Sequence, residues 1–388
     1  MAAAYRSLRQ RGLVTARRGQ GTRVAAVPPL RVERAAELPA GVRDLASGNP
    51  DERLLPPLGD ALRRVDPSHK LYGGEAKLSE LVSLARADFD RDGIGGEVAI
   101  TGGALDAIER LLQTELRPGD AVVLEDPSWP RIGDLVHALG LVVEPVSLDA
   151  RGLEPDELAA ALRRGARAVI ATPRGQNPTG AAVDPKRAAE LREVLAGHPD
   201  VLVIEDDYVG WVSGAPYVSA RAPAGRWAVV RSLSKVLGPD LRIALVAGDP
   251  LTVSRIEGRQ RLGPGWVSHL LQRLAAEVLL DPDTTPRLAE TETTYTTRRR
   301  ALVDALAARG MEARGDSGIG VWIPLPDEAA VVRELLVQGW AVSPGERYRF
   351  RSAPGIRVTT TALEPDEAEA FADALASLRA APAGTYAG

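Results

Sequence analysis

Short apolar runs alternate along this 388-residue chain with longer stretches in which apolar positions recur every three or four residues. The first pattern is that of strands, the second that of helices with one buried face. From about residue 77 the pattern predicts a helix from Lys77 to Asp90, a strand near Val98 to Thr101, a helix from Leu105 to Leu116 and a strand from Ala121 to Glu125. It continues with helix Ile132 to Leu139, strand Leu141 to Val146, helix Pro155 to Arg163, strand Ala168 to Ala171, helix Pro185 to Ala196, strand Val201 to Glu205 and strand Trp227 to Val230. This rhythm predicts an α/β fold, a mostly parallel sheet covered by helices on both faces. In such sheets ligands gather where the strands run out into loops. Residues 251–310 read as continuously helical with one break at DPDTTP, and the remainder mixes short strands with a final helix from Pro365 to Arg379. That change of pattern marks a second, smaller α+β domain.

The N-terminus has its own pattern. AAAYRSLRQR reads as a basic helix ended by Gly12, and LVTAR, RGQG and TRVAAV read as strand, tight turn and strand. The plainer reading is a surface helix and hairpin. From Pro28 to Arg43 proline, alanine and alternating charge without periodicity read as a linker.

Composition narrows the function classes. At 45% hydrophobic and 26% charged residues the chain can bury a sizeable core. A formal charge of −4 and a pI near 5.8 give no global attraction to nucleic acid or anionic membrane. There is no cysteine, hence no disulfide, thiol nucleophile or thiolate metal site. The four histidines, His69, His137, His198 and His269, lack ligand spacing, so no metal site is expected from them. No run approaches a membrane span and the N-terminus lacks a signal-peptide core, so a cytoplasmic protein is expected.

Candidate chemistry sits in the loops after the strands. RSLSK places Lys235 just beyond an apolar strand, with Ser232 and Ser234 before it and Arg242 after it. An amine able to bond an aldehyde carbon, with hydroxyls and a cation for a phosphate, describes a site for pyridoxal phosphate; alone, most such lysines are merely solvated. In ITGGALDAIERLL, Gly102 and Gly103 stand at a helix start, which suits a phosphate as well as an ordinary turn. In EDPSWPR, Trp129 can cover a flat heterocycle and Arg131 can face a carboxylate, or the two are a core aromatic and a surface cation. Asn177 in TPRGQNPTG can donate to a ring oxygen, or simply belong to a good turn. In IEDDY, Asp206 and Tyr208 share one side of an extended segment, where an aspartate beside a pyridine nitrogen keeps the ring protonated. The same acidic run could instead hold a divalent metal.

As an ordered set, Gly-Gly before a helix, EDPSW, QNPTG, EDDY, SLSK and a downstream arginine resemble fold type I, class I/II aminotransferases. The MocR group is nearest, in which such a domain follows a GntR-type DNA reader. The stretch AAAYRSLRQRGLVTARRGQGTRVA resembles the recognition helix and wing of that reader, without its two preceding helices. DNA binding is therefore expected only of a longer N-terminus, and Met1 is expected to be an internal start. The resemblance divides the chain into a partial winged helix (1–27), linker (28–43), N-terminal arm (44–75), large cofactor-binding domain with an interdomain helix (76–279), small domain (280–382) and tail (383–388).

It implies that Lys235 binds pyridoxal 5'-phosphate as an internal aldimine, that Asp206 partners the pyridine nitrogen, and that Asn177 and Tyr208 contact the ring oxygen. Ser232, Arg242, Gly103 and Ala104 would bind phosphate, and Trp129 would stack on the ring. Tyr72, in LYGG, matches the tyrosine that reaches the neighbouring subunit's phosphate site, implying a homodimer. Arg357 matches the arginine that grips the substrate carboxylate, and Arg131 a second one seen in MocR-type sites. The chain departs from the family with Ile243, Ala244 and Leu245 after Arg242, with Glu75, Ala76 and Lys77 near Tyr72, and with Trp129 where tyrosine is commoner. The implied function is amino-group transfer between an amino acid and a 2-oxo acid. The alternatives are a MocR-type regulator sensing through the same site and a non-catalytic fold relative, against which Lys235 and Asp206 argue.

Overall fold

The computed structural model describes residues 14–17, 21–24 and 38–380. Strands β1 (Val14–Arg17) and β2 (Gly21–Val24) form the expected antiparallel hairpin, with Val14 opposite Val24. The basic helix at residues 2–11 and the linker up to residue 37 lie outside the described residues. Arg43, expected to end the linker, instead opens β3 (Arg43–Asp44).

Helices α1 (Gly59–Arg64) and α2 (Ser79–Arg91) lead into an alternating series. It runs β4 (Glu97–Thr101), α3 (Ala104–Glu115), β5 (Ala121–Asp126), α4 (Pro130–Ala138), β6 (Val142–Asp149), β7 (Gly152–Leu153), α5 (Pro155–Arg163), β8 (Ala168–Ala171), α6 (Pro185–Ala196), β9 (Leu202–Asp207), β10 (Arg226–Ser232) and β11 (Ala244–Gly248). These strands form one eight-stranded sheet in the order β4-β11-β10-β9-β8-β5-β6-β7. From β10 to β6 every pairing is parallel, whereas β11, β4 and β7 join antiparallel. The alternation of side chains builds the two layers above and below it. Val123 and Val229 enter one apolar core, while their neighbours Val122, Leu124, Ala228 and Val230 enter the other.

Three helices follow, α7 (Pro250–Arg261), α8 (His269–Leu280) and α9 (Thr284–Ala308). The expectation of a single break within 251–310 is corrected here, since a second one separates α7 from α8. Its cause is Gly263-Pro264-Gly265: proline cannot donate to the helical ladder, and Gly265 takes φ +83°, from where its N–H donates back to Gln260 O at 2.9 Å.

The chain ends in β12 (Gly320–Pro324), α10 (Glu328–Val337), β13 (Trp340–Ala341), β14 (Ser343–Pro344), β15 (Gly355–Thr359) and α11 (Pro365–Ala380). Antiparallel β12, β15 and β14 form a small sheet. Its core, including Val321, Ile356 and Phe371, also takes in Leu45. Leu45 follows β3, which pairs in parallel with β13, so the segment leading into the body is stitched to this smaller sheet. No described helix is long and apolar enough to cross a membrane.

Candidate active site

Because β5, β8, β9 and β10 run parallel and end together, the loops that leave them border one cavity of about 520 Å³. Of the residues singled out in the sequence, Ala104, Trp129, Arg131, Asn177, Asp206, Tyr208, Ser232, Lys235, Arg242 and Arg357 all line it.

Lys235 lies in the turn just past β10, and its Nζ donates to Gly48 O at 2.5 Å. Burial, and then the positive charge of Arg357, bring its pKa down to about 8. Asp206 is 3% exposed, and its Oδ1 has no hydrogen-bond partner. Burial pushes its pKa up to about 7, reinforced by the charges of Asp207 and Glu125.

The neighbours of Asp206 face the opposite side of β9. Glu205 accepts from Ala220 N at 2.7 Å, from Ser219 Oγ and from the Tyr217 hydroxyl. Asp207 accepts from Arg174 Nε at 2.8 Å and from Arg231 Nε at 2.7 Å. Although burial pushes Asp207 up, these two guanidinium groups hold its carboxyl below the usual range. Two of the three carboxylates of the acidic run are thus engaged by partners within the chain while the Asp206 oxygen is left open, and no metal-holding group is found among the described residues.

Tyr208 lies just past the strand; its hydroxyl donates to Gly175 O at 2.8 Å, and burial raises its pKa. Asn177 follows in the loop after β8, and its Oδ1 is the second buried oxygen on the cavity without a partner. Two orphaned polar atoms on one cavity are the mark of a site built for polar groups from elsewhere.

The phosphate candidates gather at the start of α3. Gly103 adopts φ +108°, and a Cβ there would lie 2.6 Å from Arg242 Nη2, so only glycine lets the guanidinium close over this turn. Arg242, at φ +49°, donates to Gly102 O at 3.3 Å. Ser232 Oγ is 3.1 Å from Ser234 Oγ. Arg357, also on the cavity and 5% exposed, donates through Nη1 to the Tyr348 hydroxyl at 2.9 Å and through Nη2 to Thr359 Oγ1. Both contacts fix the plane of its guanidinium.

Tyr72 is not brought to this cavity. It is 92% exposed and packs edge-on against Trp266, with ring centroids 5.5 Å apart.

Several residues at or just behind the cavity are not among those expected from the sequence. Glu125, the penultimate residue of β5, lines the cavity at 3% exposed, and burial raises its pKa to about 7. Gly48 and Asn49 line the cavity from the segment after β3, and Tyr348 braces Arg357. For Glu125 a signal existed, since Glu125-Asp126 is a second pair of carboxylates at a strand end.

Comparison with known proteins adds the family. The family described as Aminotransferase class I and II matches residues 74–375. The chain is similar to the vitamin B6 salvage pathway transcriptional repressor PtsJ of Salmonella typhimurium, at 39% identity over 378 residues, covering 96% of this chain and 87% of that protein. It is 28% identical over 345 residues to the aminotransferase tdiD of Emericella nidulans, covering 81% of this chain and 78% of that one. Among solved structures, kynurenine aminotransferase of Pyrococcus horikoshii superposes with a TM-score of 0.80 at 23% identity, covering 87% of this chain and 90% of that one, a likeness of fold.

Proposed function

Because the chain belongs to the aminotransferase class I and II family, the fold type I group that works with pyridoxal 5'-phosphate, we propose that it holds this cofactor at Lys235 and moves an amino group between an amino acid and a 2-oxo acid. The observation that carries the proposal is the meeting of a buried, low-pKa lysine with two unpartnered buried oxygens, on Asp206 and Asn177, at one cavity. These residues fit the group: an amine for its aldehyde, a carboxylate for its ring nitrogen, an amide and a phenol for its ring oxygen, and Ser232, Arg242 and the Gly103-Ala104 helix start for its phosphate. When bound, the cofactor supplies an electron-withdrawing ring that acidifies the hydrogen on the substrate's α-carbon.

The chain's own residues do the rest. With a pKa near 8, Lys235 Nζ exists in part as the neutral amine near neutral pH, able to bond a carbonyl carbon and to take or return a proton at the α-carbon. Gly48 O holds that amine when nothing else engages it. Asp206, lacking any cationic partner of its own, suits a protonated ring nitrogen, whose charge would offset the burial that now keeps the carboxyl protonated to about pH 7. Trp129 covers one face of the ring. Arg357, held flat by Tyr348 and Thr359, grips a carboxylate in a two-pronged contact, and Arg131 adds a second cation. Tyr72, exposed on this chain, serves the phosphate side of a partner subunit in a homodimer.

The test is the absorbance spectrum of the chain with pyridoxal phosphate through additions of single amino acids and then of a 2-oxo acid. A band that converts and returns supports transamination; no band at all refutes the site. Lys235→Ala is expected to abolish covalent attachment, read by mass after borohydride reduction, and attachment unchanged in that variant would overturn the role of Lys235.

A second reading is favoured by one observation: the match to the PtsJ repressor spans 96% of this chain, beyond the aminotransferase region alone. In that reading the same cavity is a sensor and the hairpin β1–β2 is the wing of a DNA reader. A band that shifts with amino acid but never returns with oxo acid would favour it.

A further inference from the structure

The loop that carries Asn177 is held by a buried side chain that the proposed chemistry does not use. Gln176 is 2% exposed and every polar atom of its amide is engaged. Its Nε2 donates to Glu125 Oε2 at 3.1 Å and to Pro127 O at 2.8 Å, while its Oε1 accepts from Thr179 N at 3.0 Å and Thr179 Oγ1 at 2.6 Å. Its backbone is engaged as well, since its O accepts from Gly180 N at 2.6 Å and its N donates to Ala181 O at 3.1 Å. Glu125 in turn is fixed by Thr172 N, which donates to its Oε1 at 2.9 Å. Asn177 therefore sits between two residues that are both tied to one amide, Gln176 before it and Thr179 after it, and that amide is tied to the end of β5. Nothing in this arrangement bonds the Asn177 Oδ1, and Asn177 lines the cavity, where its Nδ2 is the group able to donate to a ring oxygen.

We propose that Gln176, anchored by Glu125, is a positioning residue that fixes Asn177 for contact with the phenolic oxygen of a pyridoxal ring. A buried amide with all its partners satisfied is rigid, and a residue clamped on both sides inherits that rigidity. A donor held at a ring oxygen favours the ionised oxygen, so its loss raises the pH at which that oxygen loses its proton. The inference rests on the cofactor reading above, and holds equally for an enzyme and for a sensor.

The experiment titrates the absorbance of the full chain loaded with pyridoxal phosphate against pH in four forms: wild type, Gln176→Met, Asn177→Ala and the double variant. Gln176→Met keeps the charge and approximate size while removing all four side-chain hydrogen bonds. The expected result is a midpoint raised by about half a pH unit or more in Gln176→Met, a comparable rise in Asn177→Ala, and no further rise when Gln176→Met is added to Asn177→Ala. A merely structural role for Gln176 predicts equal shifts in both backgrounds, or loss of cofactor affinity with the midpoint unmoved, and either would overturn the proposal. Should Gln176→Met not fold, Thr179→Val removes one of the four bonds and is expected to move the midpoint in the same direction by less; an unmoved midpoint in a folded Thr179→Val would overturn it too. Absence of a cofactor band in the wild type refutes the cofactor reading itself, so the two failures are told apart.

Discussion

Asp206 and Asp207 are consecutive carboxylates on one buried strand, and they end in opposite states. Asp207 faces the sheet side where Arg174 and Arg231 meet it, and Arg231 is further paired with Asp88 and Asp92 at 2.5 Å each. Asp206, one residue earlier, faces the cavity with an oxygen that has no partner and a pKa near 7. Sheet alternation alone separates them. The side with Asp207 is complete within the chain: Arg174 belongs to the Asn177 loop and Arg231 directly precedes Ser232, so the network ties together three of the strand ends that border the cavity. The side with Asp206 is completed only by something that the cavity receives. The contrast teaches that rigidity and receptivity are assigned to the two faces of the same strand ends.

The largest expected effect lies on the complete side. Asp207→Ala leaves Arg174 and Arg231 buried without their shared carboxylate, and a loss of about 3–5 kcal/mol in unfolding free energy is expected by denaturant titration. A loss under about 1 kcal/mol would break the comparison, since Asp207 would then be no better partnered than Asp206.

On the receptive side the sign reverses. The folded chain keeps the Asp206 proton to about pH 7, while the unfolded chain releases it near 3.8, so between those values the folded state binds more protons and stability falls as pH rises. Asp206→Asn removes this contribution and is expected to make the cofactor-free protein relatively more stable at pH 8 than at pH 4, read as melting temperatures across that range. The same variant is expected to bind pyridoxal phosphate about tenfold or more weakly, because a charge-assisted hydrogen bond is lost. A variant that lost stability at pH 8 in the cofactor-free state would mean that Asp206 already has a partner within the chain.

Arg357 lies between these extremes, braced by the chain yet open to the cavity. Tyr348→Phe removes one of its two braces without touching a bound molecule. The expected result is KM for a carboxylate substrate raised about tenfold with kcat changed far less. Equal losses in both would place Tyr348 in the chemistry rather than behind the arginine.

Much of this was legible in the sequence, for a physical reason. Strands and helices of the large sheet follow from periodicity, because each buries a regular face, and β5, β8 and β9 fall within two residues of where their apolar runs place them. The ordered motifs named the cavity residues because the loops that carry them directly follow those strands. What escaped depends on distant segments meeting. Gly48 comes to Lys235 across 187 residues and Gln176 to Glu125 across 51, with no local pattern to announce either. The second helix break escaped because the apolar spacing continues on both sides of Gly263-Pro264-Gly265. Tyr72 stands apart, legible as a motif but outside this chain's own cavity.

The smallest effect tests whether the receptive side needs Trp129 in particular or only an aromatic face. Trp129 caps the start of α4, half-buried, with its ring against the core that also holds Ile132 and Val136. One side of the ring is thus already packed, and only its cavity side is left to cover a bound heterocycle. Tyrosine keeps a flat ring at the same position and loses only part of the overlap, so Trp129→Tyr is expected to weaken cofactor binding less than about threefold. Trp129→Ala removes the face and is expected to weaken it about tenfold, both read by titrating the cofactor-free protein with pyridoxal phosphate. If tyrosine costs as much as alanine, the indole is held for its packing within the chain, and Trp129 belongs with Asp207 on the completed side.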